Sequence, residues 1–172
     1  MRLFLTLSLL SSLAFSEIHL PDNFRANFSQ NVTSTKKKVI HYSGKLRFSD
    51  KQFKWSYIKP SKKEVCTDGL ELMVVDHRLE QVSVYYVSED LDIAKILKKA
   101  KLHSKNIYVA KYQGVQYTIQ LDRKGRLHSL AYFDKLDNKV QIVFKNMKYG
   151  KGKLSAKSLQ CNYPSSYDMI RR

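Results

Sequence analysis

After its first sixteen residues the chain has no apolar run long enough to span a bilayer, and it is poor in the groupings that catalysis or metal chemistry requires. Its two cysteines, Cys66 and Cys161, are far apart, and neither has a second Cys or a His at ligand spacing, which argues against zinc. The histidines His19, His41, His77, His103 and His128 are scattered, with no H-E-x-x-H-like pair. No G-x-S-x-G elbow and no glycine loop suited to cradling phosphate occurs. Asp68-Gly69 and Asp134 could suggest carboxylate chemistry, but both stand where a turn needs an Asp for local hydrogen bonding. The chain therefore reads as a protein without catalytic residues, metal site or cofactor.

Negative charge is also scarce, with 31 Lys and Arg against 15 Asp and Glu and a formal net charge of +16. The excess is concentrated in lysine clusters at 36–38, 95–105 and 145–157. Charge alone would suggest nucleic acid. The N-terminus argues otherwise. Met1-Arg2 is a minimal positive start, Leu3 to Phe15 is an apolar stretch too short to span a bilayer, and Ala14-Phe15-Ser16 places small residues at a cleavage site before Glu17. Residues 1–16 are expected to be a cleaved secretory signal and residues 17–172 a single domain. The lysines then read either as a solvated surface or as a bias toward anionic headgroups or an acidic partner. In an oxidising compartment, a Cys66–Cys161 disulfide and two separate buried thiols both stay open.

What is present in abundance is alternation. Phe24, Ala26 and Phe28 alternate with polar residues, as do Tyr42, Gly44, Leu46 and Phe48, then Phe53, Trp55 and Tyr57. Val82, Val84 and Tyr86 form another such face, followed by Val115, Tyr117, Ile119 and Leu121, and later by Val140, Ile142 and Phe144. A period of two marks strands with one dry and one wet side. Turn signals at Asp68-Gly69, Gln113-Gly114, Lys124-Gly125 and Asp137-Asn138 join neighbours closely, which favours an antiparallel meander. One helix is expected, from about Glu89 to Leu102, with Glu89, Asp90 and Asp92 at its start, Lys98, Lys99 and Lys101 near its end, and Ile93, Ile96, Leu97 and Ala100 as its apolar stripe. The fold expected is mainly β: a strongly curved antiparallel sheet of about eleven strands with a helical lid over its concave face.

Several motifs in order carry a family resemblance. Phe24-x-Ala26-x-Phe28-Ser29-Gln30, Gly44-x-Leu46, Phe53-x-Trp55-x-Tyr57, Pro60, Asp68-Gly69, Asp76 and Glu80-Gln81-Val82, and the closing Tyr163-Pro164-Ser165-Ser166-Tyr167-Asp168-Met169-Ile170 together resemble the LolA family of periplasmic lipoprotein carriers. The resemblance implies a half-barrel that shelters acyl chains. It also implies loading by an inner-membrane lipoprotein-releasing ABC transporter, delivery to an outer-membrane acceptor where one exists, and a monomer in the periplasm. Leu46, Phe48, Phe53, Trp55, Tyr57, Leu72, Val84, Tyr86, Ile93, Ile96, Leu97, Tyr117 and Ile119 are the lipid-binding residues expected on that basis. Two departures stand out. Ser49-Asp50-Lys51-Gln52 replaces the segment that bears the family's Arg-Pro, with Lys51 the nearest cation, and the leading helix is short or missing. No Cys lies near the cleavage point, which argues against the lipid-anchored acceptor LolB. Two alternatives remain: a half-barrel sensor of mislocalised lipoproteins, and a basic periplasmic protein that binds anionic surfaces without a cavity.

Overall fold

In the computed structural model, which describes residues 18–86 and 93–171, the alternating segments all become strands. The first six form a meander: β1 (Asn23–Thr33), β2 (Val39–Ser49), β3 (Gln52–Lys59), β4 (Lys63–Thr67), β5 (Glu71–Asp76) and β6 (Gln81–Tyr86). A short helix, α1 (Ile93–Lys98), leads to a second meander, β7 (Lys101–Ser104), β8 (Ile107–Tyr112), β9 (Val115–Leu121), β10 (Leu127–Phe133) and β11 (Lys139–Gly150). A second helix, α2 (Ala156–Leu159), and β12 (Asp168–Arg171) complete the chain. The strands make one open sheet of twelve, in the order β12-β6-β5-β4-β3-β2-β1-β11-β10-β9-β8-β7. Every pairing is antiparallel except β12 beside β6.

Turn chemistry fixes the hairpins. Gln113 and Gly114 both have positive φ, 49° and 78°, and link Tyr112 directly to Val115, the two-residue turn that matches strand twist. Elsewhere aspartates hold the corners. Asp68 Oδ1 accepts from the Leu70 and Glu71 amides at 2.8 and 2.9 Å, and Asp134 Oδ1 from Leu136 and Asn138, both at 2.9 Å. The Glu71 amide, then that of Leu70, holds the Asp68 carboxyl below the usual range. At Asp134 burial pushes upward, but bonds from Asn138 and Leu136 prevail and lower it. The two carboxylates that could have suggested catalysis are thus engaged in turn formation.

The sheet bends where register slips. One slip lies between Arg25 and Asn27 against β11, where Asn146 has φ 53°, and another between Ser43 and Gly44 against β3. At Gly44 a side chain would strike the Ser56 carbonyl oxygen and come within 2.8 Å of the Phe28 ring, so only glycine fits there.

The two faces are covered differently. The main core lies on the concave side, where Phe24, Phe28, Leu46, Trp55, Ile119, Ile142 and Phe144 meet Ile93, Ile96 and Leu97 of α1. The convex side of β3–β6 is covered by residues 153–167. There Val75, Val82 and Val84 pack with Met73, Cys161, Tyr163 and Tyr167. Lys54 Nζ meets Glu64 Oε2 at 3.0 Å and donates to the Gln160 carbonyl at 2.8 Å, while the Asn162 amide donates to Glu64 at 2.8 Å. Cys66 and Cys161 form a disulfide, with Cα atoms 5.7 Å apart.

Three expectations change. The sheet has twelve strands rather than about eleven. The described part of the expected helix stops at Lys98, and Lys101 and Leu102 belong to β7, an edge strand exposed throughout. A second helix, α2, packs near β2 and β3. The expected signal, residues 1–16, and the expected first turn of the helix, 89–92, lie outside the described residues.

The disulfide closes a loop spanning 95 positions. Removing it by Cys66→Ser together with Cys161→Ser is expected to cost about 4 to 5 kcal/mol in urea unfolding, and thiol titration of the unreduced, unfolded protein should find no free thiol. Acid provides a separate test. A depressed folded pKa gives Asp68 and Asp134 a stabilising contribution that is complete above the ordinary value of 3.8 and is lost as pH falls through the lowered one. Asp68→Asn keeps the turn's acceptor without the titration, so its urea midpoint should fall less steeply below pH 4 than that of the wild type.

Candidate functional site: an apolar cavity on the concave face

Between α1 and the sheet lies a cavity of about 160 Å3. Phe53, Trp55, Tyr57 and Val65 form one wall, Tyr117, Leu130, Tyr132 and Ile142 the other, with Ile93 and Ile96 on the α1 side and Gln30 between the walls. Period two explains the membership. Trp55 lies opposite Val65 across β3–β4, Leu130 opposite Ile142 and Ile119, and Gln30 opposite Ile142, so one face of six strands contributes.

Aromatic packing stiffens this wall. Phe28 holds Trp55 at 5.0 Å and meets Tyr57 edge-on at 5.2 Å, Phe144 supports Trp55 at 6.2 Å, and Tyr117 lies 5.1 Å from Tyr132. Such contacts add roughly 0.5 to 1.5 kcal/mol each beyond burial, enough to hold a pocket's shape. The few polar groups carry no charge. Burial, reinforced by Tyr132 and Tyr42, pushes the Tyr57 phenol far above its ordinary value, and its hydroxyl donates to Gln30 Oε1 at 3.3 Å. Burial and then Tyr117 and Asp134 raise Tyr132 to about 12. Trp55 Nε1 is buried without a hydrogen-bond partner among the described residues. The cavity is thus a neutral, mostly apolar and partly open pocket, with an indole N–H that finds no acceptor among the described residues.

Of the residues expected to bind lipid, Phe53, Trp55, Tyr57, Ile93, Ile96 and Tyr117 line the cavity. Leu46, Phe48, Leu97 and Ile119 lie behind it in the same core, and Leu72 packs half-buried at its border. Val84 and Tyr86 belong elsewhere. Val84 lies opposite Met73 within the convex cluster beneath the C-terminal segment, and Tyr86, on the same side of β6, is 76 % exposed. The alternation of Val82, Val84 and Tyr86 was legible, but not which way that face points. Gln30, Val65, Leu130, Tyr132 and Ile142 were missed. Gln30 continues the Phe24, Ala26, Phe28 face, and only its polarity concealed it.

Two larger depressions have different chemistry. One of about 340 Å3 lies between the C-terminal segment and β3–β5 and is bordered by Gln52, Asp68, Glu71 and the disulfide. The other, about 760 Å3, is a depression where β1, β2 and β11 meet, ringed by Arg25, Lys45, Arg47, Arg126 and Lys148. Both walls mix apolar with charged groups, Met73, Leu159 and Tyr163 standing beside Asp68 and Glu71 in the first and Ala26, Leu46 and Met147 among the basic residues of the second. Glu64 lies near the sulfurs of Cys66 and Cys161, but those sulfurs are bonded to each other, so the trio is no metal site.

Residues 21–158 match the family model for the outer membrane lipoprotein carrier protein LolA. The chain belongs to the LolA family. It is 35 % identical over 150 residues to the outer-membrane lipoprotein carrier protein of Campylobacter jejuni, covering 87 % of each chain. With that of Wolinella succinogenes it shares 31 % identity over 147 residues, or 85 % of this chain and 86 % of the relative. An uncharacterised conserved protein of Thermus thermophilus has the same fold at 12 % identity and a TM-score of 0.58, over 89 % of this chain and 92 % of that one. No helix among the described residues of this LolA-family chain is long and apolar enough to cross a membrane.

Trp55 is the only tryptophan, so its emission reports this site alone. Acyl chains brominated along their length should quench it, whereas water-soluble brominated short acids should not. Quenching by both or by neither would remove Trp55 from the acyl site.

Proposed function

We propose that the chain is a periplasmic carrier of lipoproteins that shelters their acyl chains between the concave sheet and α1 as they pass from the inner to the outer membrane. The observation that carries this reading is the neutral aromatic cavity under α1 in a chain of the LolA family. The physical need is large. Each methylene exposed to water costs about 0.8 kcal/mol, so a lipoprotein's acyl chains do not cross an aqueous gap unshielded.

The cavity's size sets the mechanism. About 160 Å3 is close to the engineered hydrophobic cavities that admit a benzene, and below the roughly 300 to 1,000 Å3 of ordinary ligand pockets. Loading therefore requires the cavity to widen. The sheet wall is braced by ring packing and strand pairing, which leaves α1 as the part that moves outward, a lid in the functional sense. Unloading reverses this, because the closed cavity refills from the protein's own side chains: Ile93, Ile96 and Leu97 return to the hydrocarbon that the cargo has left. An inner-membrane ABC transporter as loader, an outer-membrane acceptor and a monomeric working state complete the proposal.

The test is a transfer assay with a purified lipoprotein, read together with mass spectrometry of what the native protein holds. Trp55→Asp puts an unpaired charge on a dry wall and should lower uptake by at least about tenfold, given a burial cost of a few kcal/mol. Ile96→Asp should do the same from the α1 side. Ile96→Ala, which removes volume without adding charge, is the folded control and should load more readily. Uptake that stays normal in Trp55→Asp, with circular dichroism unchanged, would overturn the assignment. Uptake through the cavity should also survive high salt, unlike adhesion of a basic surface.

A further inference from the structure

Two hairpin tips stand side by side at one end of the sheet. One is the connection 34–38 between β1 and β2, the other the connection 134–138 between β10 and β11. Because β1 pairs on both sides, Thr33 lies between Val39 and Lys139, and Lys139 is opposite Phe133. One residue further in, Val32 lies between Ile40 and Val140, and Val140 is opposite Tyr132, which is itself a cavity wall. The tips form a continuous lip, four strands wide, directly beyond the cavity.

Its composition is unusual for solvent. Val39, Ile40, Phe133 and Leu136 are 45, 48, 60 and 77 % exposed. Interleaved with them, Lys36, Lys37, Lys38, Lys135 and Lys139 are exposed. Two acids are near. Asp134 is occupied by the Leu136 and Asn138 amides and the Asn138 side chain, while Asp137 is exposed, so positive charge prevails. Both tips are also built alike. Ser34 and Asp134 each bond across to the residue four positions on, with the amide donating at 2.8 and 3.0 Å, and Lys37 and Asp137 occupy matching left-handed positions at φ 60° and 58°. The apolar groups are thus held outward by closed, hydrogen-bonded turns rather than by loose loops.

Apolar side chains among lysines, at one edge, are the two signals that together bind an anionic bilayer where either alone binds weakly. We propose that this lip seats the protein on a membrane surface bearing anionic phospholipid headgroups, with Phe133, Leu136, Val39 and Ile40 in the headgroup boundary and the lysines on phosphates. The cavity then lies next to the membrane from which cargo is lifted. That last consequence rests on the carrier reading, whereas the membrane contact does not.

Vesicle flotation tests it with the mature protein. Vesicles of phosphatidylethanolamine with phosphatidylglycerol should carry the protein upward and vesicles of phosphatidylcholine should not. Phe133→Ser with Leu136→Ser should lower partitioning at least about tenfold, since each removes a large apolar group from the boundary. Leu136→Ser alone, at a loop position, serves as the variant least able to disturb the fold and should show part of that loss. Lys36→Asn, Lys37→Asn and Lys38→Asn together should abolish the preference for anionic lipid. No flotation of the wild type would overturn the proposal, as would flotation that survives the Phe133 and Leu136 changes, which would point to the Arg25, Arg47 and Lys148 row. Binding only to an acidic protein surface, with no vesicle binding, would also overturn it. Trp55→Asp should float like the wild type while failing to take up acyl chains, so loss of the cavity reading and loss of the lip are read separately.

Discussion

The pairing of β1 with β11 constrains everything else in the molecule. Each meander on its own places successive strands side by side, but joining the first strand of one to the last strand of the other puts β6 near one edge of the sheet and β7 at the opposite edge. The chain between them includes α1, and its Ile93, Ile96 and Leu97, with Ala100 just beyond, lie in the concave core. The apolar stripe of α1 suits that dry surface.

The two faces are held by different kinds of contact. The convex face of β3–β6 is fixed by a disulfide, by the Lys54–Glu64 pair with its backbone bonds, and by β12 docked alongside β6. Breaking a buried, hydrogen-bonded pair of that kind costs about 3 to 5 kcal/mol, because the surviving charge is left without a partner. On the concave face Ile93, Ile96 and Leu97 of α1 give hydrocarbon contact, which weakens gradually and can be replaced by other hydrocarbon. A carrier needs this division: a rigid backing that keeps the wall in shape, and a front whose apolar contacts can be exchanged for a ligand's.

Much of this was legible in the sequence because a period of two survives any tertiary detail. Alternation marked Phe53, Trp55 and Tyr57 and then Tyr117 and Ile119 as dry faces, and these side chains pack into one core. What alternation cannot supply is the direction in which a face points. On β6 both sides had reasons to be apolar, since residues 153–167 dry the outer side, so Val84 and Tyr86 were expected in the cavity and lie opposite it. A four-residue edge strand with every side chain exposed has no pattern to read, and β7 was absorbed into the helix before it. The disulfide could not be decided from spacing, because it depends on Cys66 sharing the convex side of β4 with the returning C-terminal segment.

The central claim is that acyl chains occupy the concave cavity under α1 and not the convex depressions. It is tested most directly by loading the protein with a lipoprotein whose acyl chains carry a photoreactive diazirine and mapping the adducts by mass spectrometry. The account predicts cross-links to Phe53, Trp55, Tyr117, Leu130 and Ile142 and to Ile93 or Ile96 of α1. Adducts concentrated on Met73, Tyr163 and Leu159, or around Arg25 and Arg47, would contradict it.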